Sequence, residues 1–217
     1  MRLLLPALLC GFMQSGPSLA QDQRDLARLD ACLSRSATAP DAAYEDGLIW
    51  RREGGGSLAA QCVAVAQIAR GDVETGAERL TALAEAPDLS PFQQVAALSR
   101  AANAWLLIGR AEAAASALDR AIALAPREPD LLIDRARARA LARDWPKVEG
   151  DLDQALALRP RDGLALTLRA QARVYRLKLD LAEADVAAAL ALDPVNETAL
   201  LVRGHIREAR RTGRPPE

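Results

Sequence analysis

The stretch Ala155–Pro160 reads ALALRP, and the chain nearly repeats it twice: AIALAP closes at Pro126 and ALALDP at Pro194. The three prolines are evenly spaced, thirty-four positions from one to the next. That period, in a chain rich in Ala and Leu, is the mark of stacked helix–turn–helix units. Each proline stops a helix, because it has no backbone N–H to give and its ring clashes with the turn before it. Aligned on the prolines, residues 95–128, 129–162 and 163–196 fall into register. Each holds two helical patterns with a break between them, at Gly109-Arg110, Arg143-Asp144 and Lys178-Leu179. Small residues recur where two helices must come close: Ala102, Ala136 and Ala170 in the first helix, Ala121, Ala155 and Ala189 in the second. Leu98, Leu132 and Leu166 recur as first-helix core positions, and Leu118, Leu152 and Val186 as second-helix ones.

The pattern extends in both directions. Residues 57–94 fit an earlier unit, with its break at Gly71-Asp72, Leu80 in its second helix and a short insertion that includes Pro91. Residues 21–56 read as a degenerate helical pair, broken near Pro40 and closed by REGGGS. Residues 197–211 supply a lone last helix with Asn196 as its N-cap, and such a cap is what a repeat array needs to cover its final apolar face. Residues 212–217 read as a disordered tail.

These positions resemble the tetratricopeptide repeat family. The likeness covers the small residue at repeat position 8, the large apolar residue at 24, Ala at 27 and Pro at 32. It departs at position 11, where Trp105 is followed by Arg139 and Arg173. The resemblance implies an all-α, right-handed solenoid whose first helices line a concave groove. By the same resemblance, position 9 faces that groove and reads Asn103, Arg137, Gln171 and His205. Around this polar line the resemblance places Ser99, Leu107, Ile133, Leu141, Thr167, Val174, Tyr175 and Leu201. Mixed polar and apolar side chains of this kind suit an extended peptide or a partner helix.

Charge recurs as well. Arg135, Arg169 and Arg203 share one repeat position, and Asp151 and Asp185 follow the first two at one constant spacing. In the preceding unit both matching positions are Ala, at Ala101 and Ala117. Charges that appear and vanish together point to structural ion pairs, Arg135 with Asp151 and Arg169 with Asp185, rather than to an anion-binding ladder. Glu149 is expected on the outer face, and removing Asp151 is expected to lower stability far more than removing Asp153.

The N-terminus reads MRLLLPALLCGFMQSGPSLA. Arg2, an apolar run and the small residues Ser18 and Ala20 have the layout of a secretory signal cut after Ala20. The run is too short for a membrane anchor, and Leu9 stands where lipoprotein signals carry a small residue before the cysteine. Losing Arg2 from 28 basic residues against 29 acidic leaves a slightly acidic chain, which argues against nucleic-acid binding. Cys32 and Cys62 remain. The favoured reading is one structural disulfide, worth roughly 3–4 kcal/mol in the chain-entropy model. A redox pair or a metal site is the alternative, and the lack of Cys-x-x-Cys and the single His count against both.

No nucleophile elbow, phosphate loop or zinc-protease motif is present, and EGGGSL lacks the strand and Lys of a phosphate loop. No enzyme activity, cofactor or metal is expected. The resulting expectation is an exported protein of a bacterial periplasm. It would serve as a scaffold or adaptor that binds a peptide segment or partner domain in its groove. A chaperone or assembly factor for envelope proteins is the alternative.

Overall fold

The computed structural model describes residues 19–216, so the leader expected over residues 1–20 falls outside them except for Leu19 and Ala20. Eleven helices and no strand occur among the described residues. In chain order they are α1 (Leu19–Ser36), α2 (Pro40–Arg52), α3 (Gly56–Ala69), α4 (Val73–Leu83), α5 (Pro91–Leu107) and α6 (Ala111–Leu124). They continue with α7 (Pro129–Leu141), α8 (Trp145–Leu158), α9 (Gly163–Tyr175), α10 (Leu179–Leu192) and α11 (Glu197–Thr212). Each helix packs antiparallel on the next, and α1 also meets α3 as α9 meets α11, so the chain advances as a stack of hairpins.

The repeated small and large residues form the joints of this stack. Leu98 with Leu118, Leu132 with Leu152, and Leu166 with Val186 are buried within their own hairpins. Ala102, Ala136 and Ala170, with Ala121, Ala155 and Ala189, are almost wholly shielded from water. A side chain larger than a methyl there would hold the helices apart. The α3–α4 contact is closer still: a Cβ on Gly76 would lie 2.7 Å from the Ala64 carbonyl oxygen.

Helix ends follow local chemistry. The first-to-second helix turns require one left-handed residue each, at Gly71, Gly109, Arg143 and Leu177. Glycine adopts this conformation freely; Arg143 and Leu177 hold it against the clash of their own Cβ. The last turn therefore falls at Leu177, just before the Lys178-Leu179 break read from the sequence, and so keeps the repeat spacing. Ser90 and Gln93 form a reciprocal capping box at α5, and Asp144, Asp162 and Asn196 accept the exposed N–H groups that begin α8, α9 and α11. The start of α3 is capped from the end of its own unit, where Asp88, between α4 and α5, accepts both the Ser57 N–H and its hydroxyl. Burial alone would raise the Asp88 carboxyl, but these bonds hold it below its ordinary value. Thr212 belongs to α11, and Gly213 closes that helix in the left-handed conformation, so the ordered chain runs past the residue where a disordered tail was expected.

Cys32 in α1 and Cys62 in α3 form a disulfide, with Cα atoms 5.8 Å apart. It fastens the irregular first pair to the regular array, beside a cluster made by Leu29, Ala43 and Trp50. The stretch EGGGSL is the α2–α3 connection.

Candidate functional site

Two kinds of side chain compete for the first helices: those that hold the stack together and those left for a ligand. The charged positions belong largely to the first kind. Asp151 is 1% exposed and accepts three hydrogen bonds. Arg135 donates from Nε at 3.1 Å and from Nη2 at 2.6 Å, and Arg139 donates from Nη1 at 2.6 Å. One unit later Asp185 accepts from Arg169 Nε and Nη2 at 3.0 and 2.7 Å and from Arg173 Nη1 at 2.7 Å. The arginines at repeat position 11, where the sequence departs from the family's aromatic, are thus the second clamp on a buried carboxylate. In the preceding unit the same three places hold Ala101, Trp105 and Ala117, a buried apolar set.

Each cluster also reaches backwards. Arg135 Nη1 bonds Asp119 on α6 at 2.7 Å, and Arg169 Nη1 bonds Asp153 on α8 at 2.8 Å. The spacing is therefore doubled: each arginine stands midway in sequence between two aspartates and bonds both. Arg135 and Arg169 are half-buried, and this partial burial lowers their affinity for a proton, but the bonds to Asp151 and Asp119, and to Asp185 and Asp153, more than restore it. Asp153 is half exposed yet joins two units, so it is not inert. Arg203 has no partner among the described residues and is exposed.

Glu149 is the clearest departure from the sequence reading. It is not on an outer face: it is 5% exposed. It accepts from Arg173 Nε at 3.1 Å, from Lys178 Nζ at 2.9 Å and from Arg176 Nη1. Burial would raise its carboxyl; the bonds from Lys178 and Arg173, with the charges of Lys178 and Arg176, outweigh this and hold it below the usual range. A sequence signal exists. Glu149 and Glu183 are one repeat apart, as are Arg176 and Arg210, and Glu183 pairs with Arg210 at 2.6 Å.

The expected groove residues divide by burial. Asn103, Arg137, Leu107, Leu141 and Leu201 are exposed, and Ser99, Gln171, Tyr175 and His205 are half-buried. Leu107 and Leu141 are 74% and 51% exposed, large values for leucines in a folded chain. Ile133, Thr167 and Val174 do not face a ligand: all three are buried. Ile133 lies in the core cluster with Leu132, Leu152 and Leu166, and the Thr167 hydroxyl is spent on the Gly163 carbonyl within α9. Tyr175 stacks on Trp145 with ring centroids 4.1 Å apart, which joins α9 to the preceding hairpin. Trp50 and Trp105 are buried. Arg137 makes one exposed contact, to Asp134.

One polar feature escaped the sequence reading. Gln61 on α3 is buried, and its Oε1 accepts from Arg100 Nη1 on α5 at 3.0 Å. Its Nε2 is buried without a partner among the described residues. Burial pulls Arg100 below the ordinary arginine value, opposed by the charge of Asp30. No group of His, Cys, Asp and Glu suited to a metal ion occurs among the described residues. No described helix is long and apolar enough to cross a membrane.

Helical hairpins stacked in register, with small residues at each joint, define a repeat solenoid. The chain has the tetratricopeptide-repeat fold. Its structure is similar to the second such domain of human RPAP3, solved in complex with an HSP70 peptide. Identity there is 27% and the TM-score 0.53, over 54% of this chain and 98% of that one. It is similar also to TTC0263, a thermophilic tetratricopeptide-repeat protein of Thermus thermophilus, at 24% identity and TM-score 0.55 over 86% and 99% of the two chains. MamA AMB-1 aligns at 18% identity and TM-score 0.60 over 83% and 98%. No family model matches the chain, and no curated protein matches it.

Proposed function

We propose that this protein is an interaction scaffold that holds a peptide segment or partner domain against its first helices, and that it does so in a bacterial periplasm. The observation that carries the reading is a division of labour along those helices. Positions that join units are buried or ion-paired, whereas Asn103, Arg137, Leu107 and Leu141 stay open to solvent with little or no internal partner. Amide and guanidinium groups can hold a peptide backbone or a carboxylate, and exposed leucines supply apolar contact. The human RPAP3 domain was solved with a peptide bound, which supports a peptide ligand here. Export rests on the signal-like leader and on the Cys32–Cys62 disulfide, a bond that persists in oxidising compartments.

The test places a photo-crosslinking residue at Arg137 in living cells, with Ser116 on the exposed side of α6 as control. A dominant adduct at Arg137 and none at Ser116 is the expected result. Equal capture at both, or none at Arg137, would refute the groove reading. Many faint adducts would favour a chaperone that meets many clients.

A further inference from the structure

We propose that the cleft between α5 and α7 is a docking pocket for a peptide segment that carries a large apolar side chain next to a lysine or arginine. The proposal rests on the reading of the first helices as a peptide-binding surface and assigns the chemistry of one part of it.

The cleft measures about 490 Å³. Its apolar lining is Phe92, Val95, Leu124 and Leu131, and its charged lining is Glu128, Asp130 and Asp134, with no cation among the lining side chains. Phe92 is 81% exposed. It is there because α5 begins earlier than its counterparts: Ser90 and Pro91 start that helix before the repeat frame opens at residue 95, and the added turn presents Phe92 beside the cleft. The insertion that interrupts the repeat period thus builds one wall of the pocket.

The negative charge is only partly neutralised. Arg159 reaches Asp130 at 2.8 Å and Arg137 reaches Asp134 at 3.1 Å, both from outside the lining. The Glu128 carboxylate makes no hydrogen bond or ion pair among the described residues and meets only the more distant charge of Arg159. Burial raises the proton affinity of Asp134, the Arg137 contact offsets this in part, and the charge of Asp130 adds to it. A cationic side chain entering from solvent would relieve that repulsion, while its apolar neighbour covers Phe92 and Leu124.

The same residues are not part of the repeat. One unit on, the places of Asp130 and Asp134 are taken by Leu164 and Leu168, and one unit back by Ala96 and Arg100. Stacking therefore does not require carboxylates there. The acidic, aromatic-walled cleft belongs to a single junction, which a specific partner can recognise.

The test uses the full chain. Peptides are selected from a random displayed library on the immobilised protein, and the best of them is titrated by fluorescence anisotropy. Selected peptides are expected to combine Lys or Arg with an adjacent aromatic or aliphatic residue. Phe92→Ala, and separately Glu128→Gln with Asp134→Asn, should each weaken binding about tenfold, or ~1.4 kcal/mol. Arg159→Ala, which frees Asp130, should tighten it severalfold. Unchanged circular dichroism and melting show that the variants fold. Selection of acidic or neutral peptides, or equal affinity for all variants, would overturn the proposal. So would a concentration-dependent dimer abolished by Phe92→Ala, since the occupant would then be a second copy. Peptides that bind but depend on Leu107 and Asn103 alone would overturn it while leaving the scaffold reading intact. No selected peptide and no adduct at Arg137 would overturn both.

Discussion

Replacing Asp151 by Ala removes three charge-assisted hydrogen bonds at once and leaves two guanidinium groups facing a buried hole. Side-chain exposure is 14% for Arg135 and 20% for Arg139. Breaking one side of a buried pair costs about 3–5 kcal/mol, chiefly because the remaining charge is stranded. Here Arg135 keeps its 2.7 Å bond to Asp119 and Arg139 lies 3.8 Å from the same carboxylate, so the lower end, about 3 kcal/mol, applies. Asp153→Ala is the comparison. That carboxylate is 51% exposed and holds Arg169 at 2.8 Å, so its loss should cost no more than about 1 kcal/mol. Urea titrations followed by far-UV circular dichroism at pH 7 measure both. A third variant tests the cause. Arg135→Ala with Arg139→Trp and Asp151→Ala installs the apolar set that the preceding unit uses at Ala101, Trp105 and Ala117. Trp105 donates its indole N–H to Thr81 on α4. Asp119 stands near that place one unit later, so the grafted indole would find an acceptor. Replacing a whole buried ionic cluster by fitted apolar residues is often neutral, and the graft should recover most of the loss. Equal midpoints for Asp151→Ala and Asp153→Ala, or a graft as unstable as Asp151→Ala, would refute the reasoning.

Other perturbations give separate tests. Glu149→Gln should cost about 2–3 kcal/mol at neutral pH, since three cations lose their shared carboxylate and two of them are partly exposed. Its folded carboxyl lies below the ordinary value, so the stabilisation is present above the unfolded pKa and lost as pH falls through the folded one. The variant should therefore show a flatter acid limb in a stability–pH profile, and an unchanged limb would contradict the assignment. Cys32→Ser should lower the stability of the first hairpins by about 2–4 kcal/mol. Hydrogen exchange is expected to rise in α1 and α2 and stay level in α7 to α10; uniform acceleration would count against a local staple. Leu177→Gly relieves a left-handed leucine and should raise thermal stability by up to about 1 kcal/mol, and a loss in a calorimetric scan would show that its side chain matters more than its backbone.

The repeat was legible because it is written in residues whose role is local or pairwise. Prolines stop helices, alanines permit close approach and leucines fill the gap between, and each constraint returns with every unit. The Arg135–Asp151 and Arg169–Asp185 spacings were visible for the same reason. Glu149 is not legible as a buried residue from its own helix, because its cationic partners lie on α9 and in the turn that follows it. Its burial depends on Arg173, Arg176 and Lys178 arriving from the next unit, and that recurrence at Glu183 and Arg210 becomes meaningful only once two units are stacked. Arg139 and Arg173 looked like departures from a pattern because their partners, Asp151 and Asp185, lie further along the chain on the neighbouring helix.

By itself, then, the sequence determined the all-α stack, its joints, the Asn196 cap and the Arg135–Asp151 and Arg169–Asp185 pairs. These depend on backbone conformation and on volume at fixed chain spacing. Only the tertiary structure decided which groove candidates reach solvent. Ile133 and Thr167 share a repeat position with Leu201, and Val174 with Glu208; the exposed counterparts sit on α11, the last described helix, whereas the three buried residues lie inside the stack. It also placed Phe92, Glu128 and Asp134 in one cleft, a meeting of residues from two units and an extra helical turn. Exposure and convergence are properties of packed neighbours, and no single repeat encodes them.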